Sequence, residues 1–180
     1  MELIKNFVLD FIFIFYSYFV CNIPCWSLRR FFYKIGGMQI GEKSRIMMKT
    51  VIIKPWRIKI GNNSYINEAC HIGARGGVEI MDNVSVSIGT MIITGTHDSQ
   101  SENFKYKEEY IKIENNVWIG ARCIILPGVV LKKDCLIGAG STVKKGIYKE
   151  DGFYSGVPAR YISQRKLKGE YTLYWSPFFR

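Results

Sequence analysis

The chain has few histidines: His71 and His97 are the only two among its 180 residues. That scarcity excludes a metal centre built on three imidazoles. The five cysteines are odd in number, and their spacing matches no zinc ribbon, zinc finger or CxxC pair. No metal ligand set is therefore expected, and the expected setting is reducing and cytoplasmic. No cleavable secretory leader is evident, because the N-terminal apolar run is too long for a simple h-region and no A-x-A-like site follows it. The basic residues do not cluster with interleaved aromatics on a recognisable platform, so nucleic acid is not an expected partner.

What is present points elsewhere. Forty-eight per cent of the residues are apolar, so a wholly disordered chain is excluded. The formal charge of +10 favours anionic partners such as an acidic membrane surface or a phosphorylated ligand. The length suits one core with a small appendage.

Three regions follow one another. Residues 1–38 contain "NFVLDFIFIFYSYFVCNIPCW", close to the roughly 20 apolar residues that a membrane-spanning helix needs. Asp10 interrupts the run, Pro24 ends it, and Arg29, Arg30 and Lys34 follow. Three readings stand. A spanning helix bears Asp10 in hydrocarbon at a cost of about 3 kcal/mol near the bilayer centre. An interfacial helix keeps Asp10 and Ser17 wet, with residues 7–25 touching the membrane surface. A third possibility is a hydrophobic helix packed on the main domain or on a neighbouring subunit.

Residues 39–148 carry a repeat. Branched apolar residues recur every six positions: Ile40, Ile46, Ile52; Ile60, Ile66, Ile72, Val78; Ile80, Val86, Ile92; and Ile113, Ile119, Ile125, Leu131, Ile137, Val143. Six is even, so in strands these side chains share one face. Glycine follows at Gly41, Gly61, Gly73, Gly120 and Gly138, where a positive φ at a tight corner is the expected use. Four places after the apolar residue comes a small or medium one, including Ser44, Thr50, Thr90, Thr96, Cys70, Cys123 and Cys135. The three cysteines are thus expected as core filler. Residues 149–180 leave the repeat with a basic, helix-compatible segment, "GVPARYISQRK", and an aromatic tail, "YTLYWSPFFR".

The repeat [LIV]-G-x-x-[STAV]-x, with "NNVWIGARCIILPGVVLKKDCLIGAGSTVKK" and "GVPARYI", resembles the hexapeptide-repeat acyltransferases. "KPWRIKIGNN" followed by "ITGTHD" is similar to their colanic-acid-type and galactoside/maltose-type O-acetyltransferases. The resemblance covers residues 38–163. It implies a mainly β fold, a left-handed parallel β-helix, assembled as a homotrimer; outside the resemblance, the residues add an N-terminal hydrophobic helical segment and a short C-terminal helix or tail. It also implies acetyl-CoA as acyl donor and a sugar hydroxyl as acceptor, in the synthesis of a surface polysaccharide.

His97 ends the third run of hexads, and the repeat resumes only at Ile113. The polar segment 98–112 between them reads as a functional insertion looped out of one coil. Attack of a sugar hydroxyl on a thioester needs one base, and an imidazole suits it. The family's general base matches His97. Asn67 matches its acceptor-binding asparagine, while Glu68 and Asp98 are candidates to orient His97 or bind sugar hydroxyls. The coenzyme contacts match Ala121, Ala139, Lys144, Lys145 and Arg160. Arg75 is a weaker candidate for an acidic acceptor. Trp118 reads as a packing residue, and His71 as structural, on a different side of the prism from His97. A γ-class carbonic anhydrase shares the β-helix but needs three histidines. An amino-sugar N-acetyltransferase, a longer-chain acyltransferase and a non-catalytic β-helix scaffold remain as alternatives. The N-terminal run adds the expectation of a lipid-linked acceptor at the inner face of the cytoplasmic membrane.

Overall fold

The computed structural model describes residues 2–167, 169 and 171–173, with side chains from residue 7 onward. The aromatic tail from residue 174 lies outside the described residues. The hexads form short strands that visit three sheets in turn, giving a three-sided parallel β-helix. Sheet 1 stacks Gln39–Ile40, Ile58–Ile60, Val78–Ile80, Ile111–Ile113, Val129–Leu131 and Gly146–Tyr148. Sheet 2 stacks Arg45–Ile46, Tyr65–Ile66, Ser85–Val86, Trp118–Ile119, Leu136–Ile137 and Gly152–Gly156. Sheet 3 stacks Val51–Ile53, His71–Gly73, Met91–Ile93, Ile124–Ile125 and Thr142–Val143.

The register puts like on like. Ile46 pairs with Ile66, Ile66 with Val86, Val86 with Ile119 and Ile119 with Ile137. These columns are buried, and each side chain is worth about 1.5–3 kcal/mol once removed from water. No coil covers both of its own open ends, so stacking supplies the core. Val78 and Ile80, where the six-residue period slips by two, sit in one strand and are both buried. The slip turns no corner. Cys70, Cys123 and Cys135 are free and buried, as expected of core filler.

The glycine expectation needs correction. Positive φ falls two residues beyond Gly41 and Gly61, at Lys43 and Asn63, and at Asn83, Asn116 and Asp134 on the same edge. Asn and Asp tolerate that conformation through local hydrogen bonds. Gly41, Gly61, Gly120 and Gly138 serve close stacking instead, while Gly73 has room for a side chain. A Cβ on Gly120 would lie 2.5 Å from the Ala139 amide nitrogen of the next coil.

The N-terminal region caps the open first coil. Helix α1 (Glu2–Ile14) runs into a π-turn (Phe15–Phe19) and a 3-10 turn (Val20–Asn22), and helix α2 (Trp26–Ile35) follows Pro24. Tyr16, Val20, Cys21, Trp26 and Tyr33 are buried against the coil. Arg29 is buried too, and its Nη2 donates to the Ile46 carbonyl at 3.1 Å. Arg30 donates to the Gly41 carbonyl at 3.1 Å. These two arginines close the free carbonyl rim of the coil stack, so Arg29 is not a solvated flanking charge. Phe7, Phe11, Tyr18 and Phe19 point outward and are exposed. No helix among the described residues is long and apolar enough to cross a membrane.

At the other end, strands continue past residue 148. The helix expected from "GVPARYISQRK" is a strand, Ala159–Gln164, antiparallel to Gly152–Gly156. The last strand of sheet 2 offers unpaired backbone groups, and pairing there outweighs a local helical preference. Tyr154 and Tyr161 meet edge-on across the pair, centroids 5.6 Å apart.

Candidate active site

The excursion begins one step earlier than the sequence suggests. Thr94, not Thr96, holds the inward position: it is buried, and its Oγ1 donates to the Gly73 carbonyl at 2.6 Å. The chain then leaves the coil as a hairpin of Gly95–His97 and Tyr106–Glu108, with His97 opposite Tyr106. Thr96 is consequently exposed. Chain re-entry at Ile111 pairs with Val78, so the coil stack closes beneath the hairpin.

His97 is exposed, but its ring is held. It lies flat on Phe104, with centroids 4.4 Å apart and planes 10° apart, and Tyr106 meets it edge-on at 5.2 Å. Its Nδ1 is 2.8 Å from the Phe104 carbonyl oxygen. A carbonyl only accepts, so Nδ1 carries the proton and the Nε2 lone pair is left free. The orienting group is therefore a backbone carbonyl and not a carboxylate. Asp98 is turned away into an ion pair with Lys107 at 2.7 Å. That hydrogen bond, then one from the Gln100 amide, holds the Asp98 carboxyl below its usual range. Phe104 and Tyr106 were not read from the sequence, although the "FKY" alternation inside a polar insertion carries the signal.

Ion pairs fasten the hairpin to the stack. Glu108 meets Arg57 at 3.1 Å and Lys54 at 3.8 Å, and Glu109 meets Lys145 at 2.5 Å. Single exposed pairs contribute little, but together they bridge coils above and below the hairpin. Lys145 is thereby engaged by the loop. Lys144 stays exposed, and its carbonyl accepts the Tyr148 hydroxyl at 3.0 Å.

The remaining candidates divide between two edges of the prism. His97, Lys144 and Lys145 lie between sheets 3 and 1. Asn67, Glu68, Ala121 and Ala139 lie between sheets 2 and 3. Asn67 is half-buried, and its side-chain amide donates to the Val86 carbonyl at 3.0 Å. The Ala121 carbonyl accepts the Gly140 amide at 2.8 Å. Arg160 is exposed in the terminal strand pair. One chain does not bring Asn67 or Glu68 onto the edge that carries His97.

His71 stands in sheet 3 opposite Met91, whose strand runs directly into the hairpin. It therefore opens the sheet 3 strand, whereas His97 lies beyond that sheet at the edge with sheet 1, so the two stand on different sides of the prism as expected. Burial, then Arg75, pushes its pKa down. Trp118 is 46% exposed and donates to the Ser87 hydroxyl at 3.2 Å, so it is only partly a packing residue. Among the described residues no three His, Cys, Asp or Glu converge as a metal site.

The coil register and the hexads together define a three-sided parallel β-helix built on a six-residue repeat. Residues 110–145 match the family described as bacterial transferase hexapeptide (six repeats). The chain is similar to galactoside O-acetyltransferase of Escherichia coli (strain K12), 40% identical over 129 residues, covering 69% of this chain and 63% of that protein. It is also similar to the putative colanic acid biosynthesis acetyltransferase WcaF of the same strain, 25% identical over 119 residues, covering 66% of this chain and 65% of that protein. The chain thus spans just under two thirds of the length of these relatives. A solved galactoside acetyltransferase in complex with coenzyme A superposes with a TM-score of 0.77 at 27% identity, covering 90% of this chain and 81% of that one.

Proposed function

We propose that the chain is an acetyl-CoA-dependent O-acetyltransferase that acetylates a sugar hydroxyl of a bacterial surface polysaccharide or its precursor. The observation that carries this reading is the His97 ring, held by Phe104 with Nε2 free. In the reaction, Nε2 takes the proton of the acceptor hydroxyl as its oxygen attacks the thioester carbon. The carbon–sulfur bond then breaks, and the departing thiolate of coenzyme A takes the proton back from the imidazolium. The relatives' printed activities and the coenzyme A complex of a similar structure support the donor.

The division of candidates between two edges supports a homotrimer. Sheet 3 lies between those edges, so a threefold arrangement around sheet 3 sets one chain's His97 against the Asn67, Glu68, Ala121 and Ala139 edge of its neighbour. In this reading Asn67 and Glu68 hold the acceptor, and Lys144 and Arg160 meet the coenzyme phosphates. Asp98 sets the hairpin through Lys107. The exposed aromatics of residues 7–25 support contact with the inner face of the cytoplasmic membrane, with a lipid-linked glycan as acceptor.

The test is thiol release from acetyl-CoA with a panel of surface-glycan precursors, for wild type and His97→Ala. Acceptor-dependent release that falls by about 10²–10⁴ on substitution is the expected result. Full activity in the variant removes His97 from the mechanism. No release with any acceptor from either protein overturns the transferase reading.

A further inference from the structure

A basic cleft lies where α2 crosses the first coil, on the edge between sheets 1 and 2. Ser27, Arg30, Phe31 and Lys34 share one face of α2 at helical spacing. Lys43, Ser44 and Arg45 face them from the coil, and the cleft between has a volume of ≈ 470 Å³. Its cations are Arg30, Lys34, Lys43 and Arg45, and no carboxylate lines it. Arg30 is fixed by its bonds to the Ile40 and Gly41 carbonyls at the wall of the cleft. Among the described residues no ion pair neutralises Arg30, Lys34 or Lys43. The first turn of α2 carries no acidic residue, and Cys25 makes no side-chain cap there. The like charges of Arg30, Lys34 and Lys43 repel one another, and an anion relieves that repulsion.

The surroundings identify the anion's carrier. Leu28, Phe31 and Ile35 of the same helix are exposed beside the cleft. A soluble anion gives such side chains no partner, whereas a lipid surface covers them while its phosphates meet the cations. We propose that this cleft binds the phosphate of an anionic phospholipid headgroup, with the α2 side chains seated at the acyl boundary. The proposal rests on the membrane contact proposed above and names its chemistry. The sheet 1–sheet 2 edge lies opposite sheet 3, so the cleft stays open in the trimer. Three copies at the same end of the assembly bind one surface together, which raises avidity without any new contact.

The test is flotation of the full chain with vesicles of phosphatidylcholine alone, or of phosphatidylcholine mixed with phosphatidylglycerol, at physiological salt. Wild type is expected to prefer the phosphatidylglycerol vesicles. Lys34→Gln with Lys43→Gln is expected to lower that affinity roughly 10–30-fold, at about tenfold or less per cation near an anionic surface. Lys59→Gln with Lys149→Gln removes the same charge elsewhere and is expected to change it by less than about threefold. Equal losses in the two variants overturn the cleft in favour of diffuse attraction. Equal binding of wild type to both vesicles leaves the membrane contact standing and removes the headgroup site. Binding to neither overturns both. Thermal unfolding of the variants checks their fold, and Lys34→Gln alone replaces the double variant if that unfolds early. Thiol release on a soluble acceptor is expected to be unchanged.

Discussion

His97 receives two different contacts from Phe104: the ring stacks on the imidazole at 4.4 Å, and the carbonyl accepts its Nδ1 proton at 2.8 Å. One loop residue thereby sets both the plane of the base and its tautomer. Phe104 sits at φ 49°, in the left-handed region.

Replacing that ring separates the two contacts. Phe104→Ala keeps the carbonyl and loses the stack, which for aromatic pairs is worth about 0.5–1.5 kcal/mol. Acceptor-dependent kcat/KM is expected to fall about two- to tenfold, with KM for acetyl-CoA unchanged. A loss as large as that of His97→Ala shows instead that the hairpin itself has collapsed.

The coil contact at Gly120 makes a second prediction. Gly120→Ala drives a methyl into the Ala139 backbone nitrogen, which cannot swing aside, and is expected to destabilise by about 3 kcal/mol. Gly140→Ala meets nothing within 4 Å but must adopt a left-handed φ of 70°, costing about 1 kcal/mol. Thermal melts of the two variants rank them. The reverse order shows that backbone conformation, and not coil spacing, limits this edge.

Tyr33 gives an alkaline prediction. It is fully buried, and its hydroxyl has no hydrogen-bond partner among the described residues. Burial raises its pKa above the usual 10.0, so the folded state favours the neutral phenol. That contribution is complete below pH 10 and is lost as pH rises beyond it. Tyr33→Phe removes the unsatisfied hydroxyl and is expected to add about 1 kcal/mol at neutral pH. The gap in melting temperature between neutral and alkaline solution is expected to narrow. An unchanged gap assigns the alkaline loss to another group.

The columns from Ile40 to Val143 were legible because an inward position tolerates little except a branched apolar side chain, so the period survives in the letters. His97 was legible for a related reason: it stands where that period breaks. Its orienting group was not, since a carbonyl has no letter, and its aim depends on how the hairpin closes. The carboxylates Glu68 and Asp98 were read as candidates because residue type is all that a sequence offers. Ala159–Gln164 misled in the same way: its preference for helix is local, whereas the open edge of Gly152–Gly156 is a property of the finished stack. Arg29 resembled a flanking charge until the burial of its guanidinium over Ile46 showed it closing the first coil.

Ile113 pairs with Ile80 in the same register as Ile80 with Ile60, although a coil and the hairpin intervene in the first case and a coil alone in the second. Ile111–Ile113 stacks on Val78–Ile80 of the coil before, and Met91–Ile93 on His71–Gly73, so neither pairing uses residues 94–110. Lineages can therefore lengthen, shorten or exchange this segment, and with it the chemistry presented to an acceptor, while the prism that carries it is inherited unchanged.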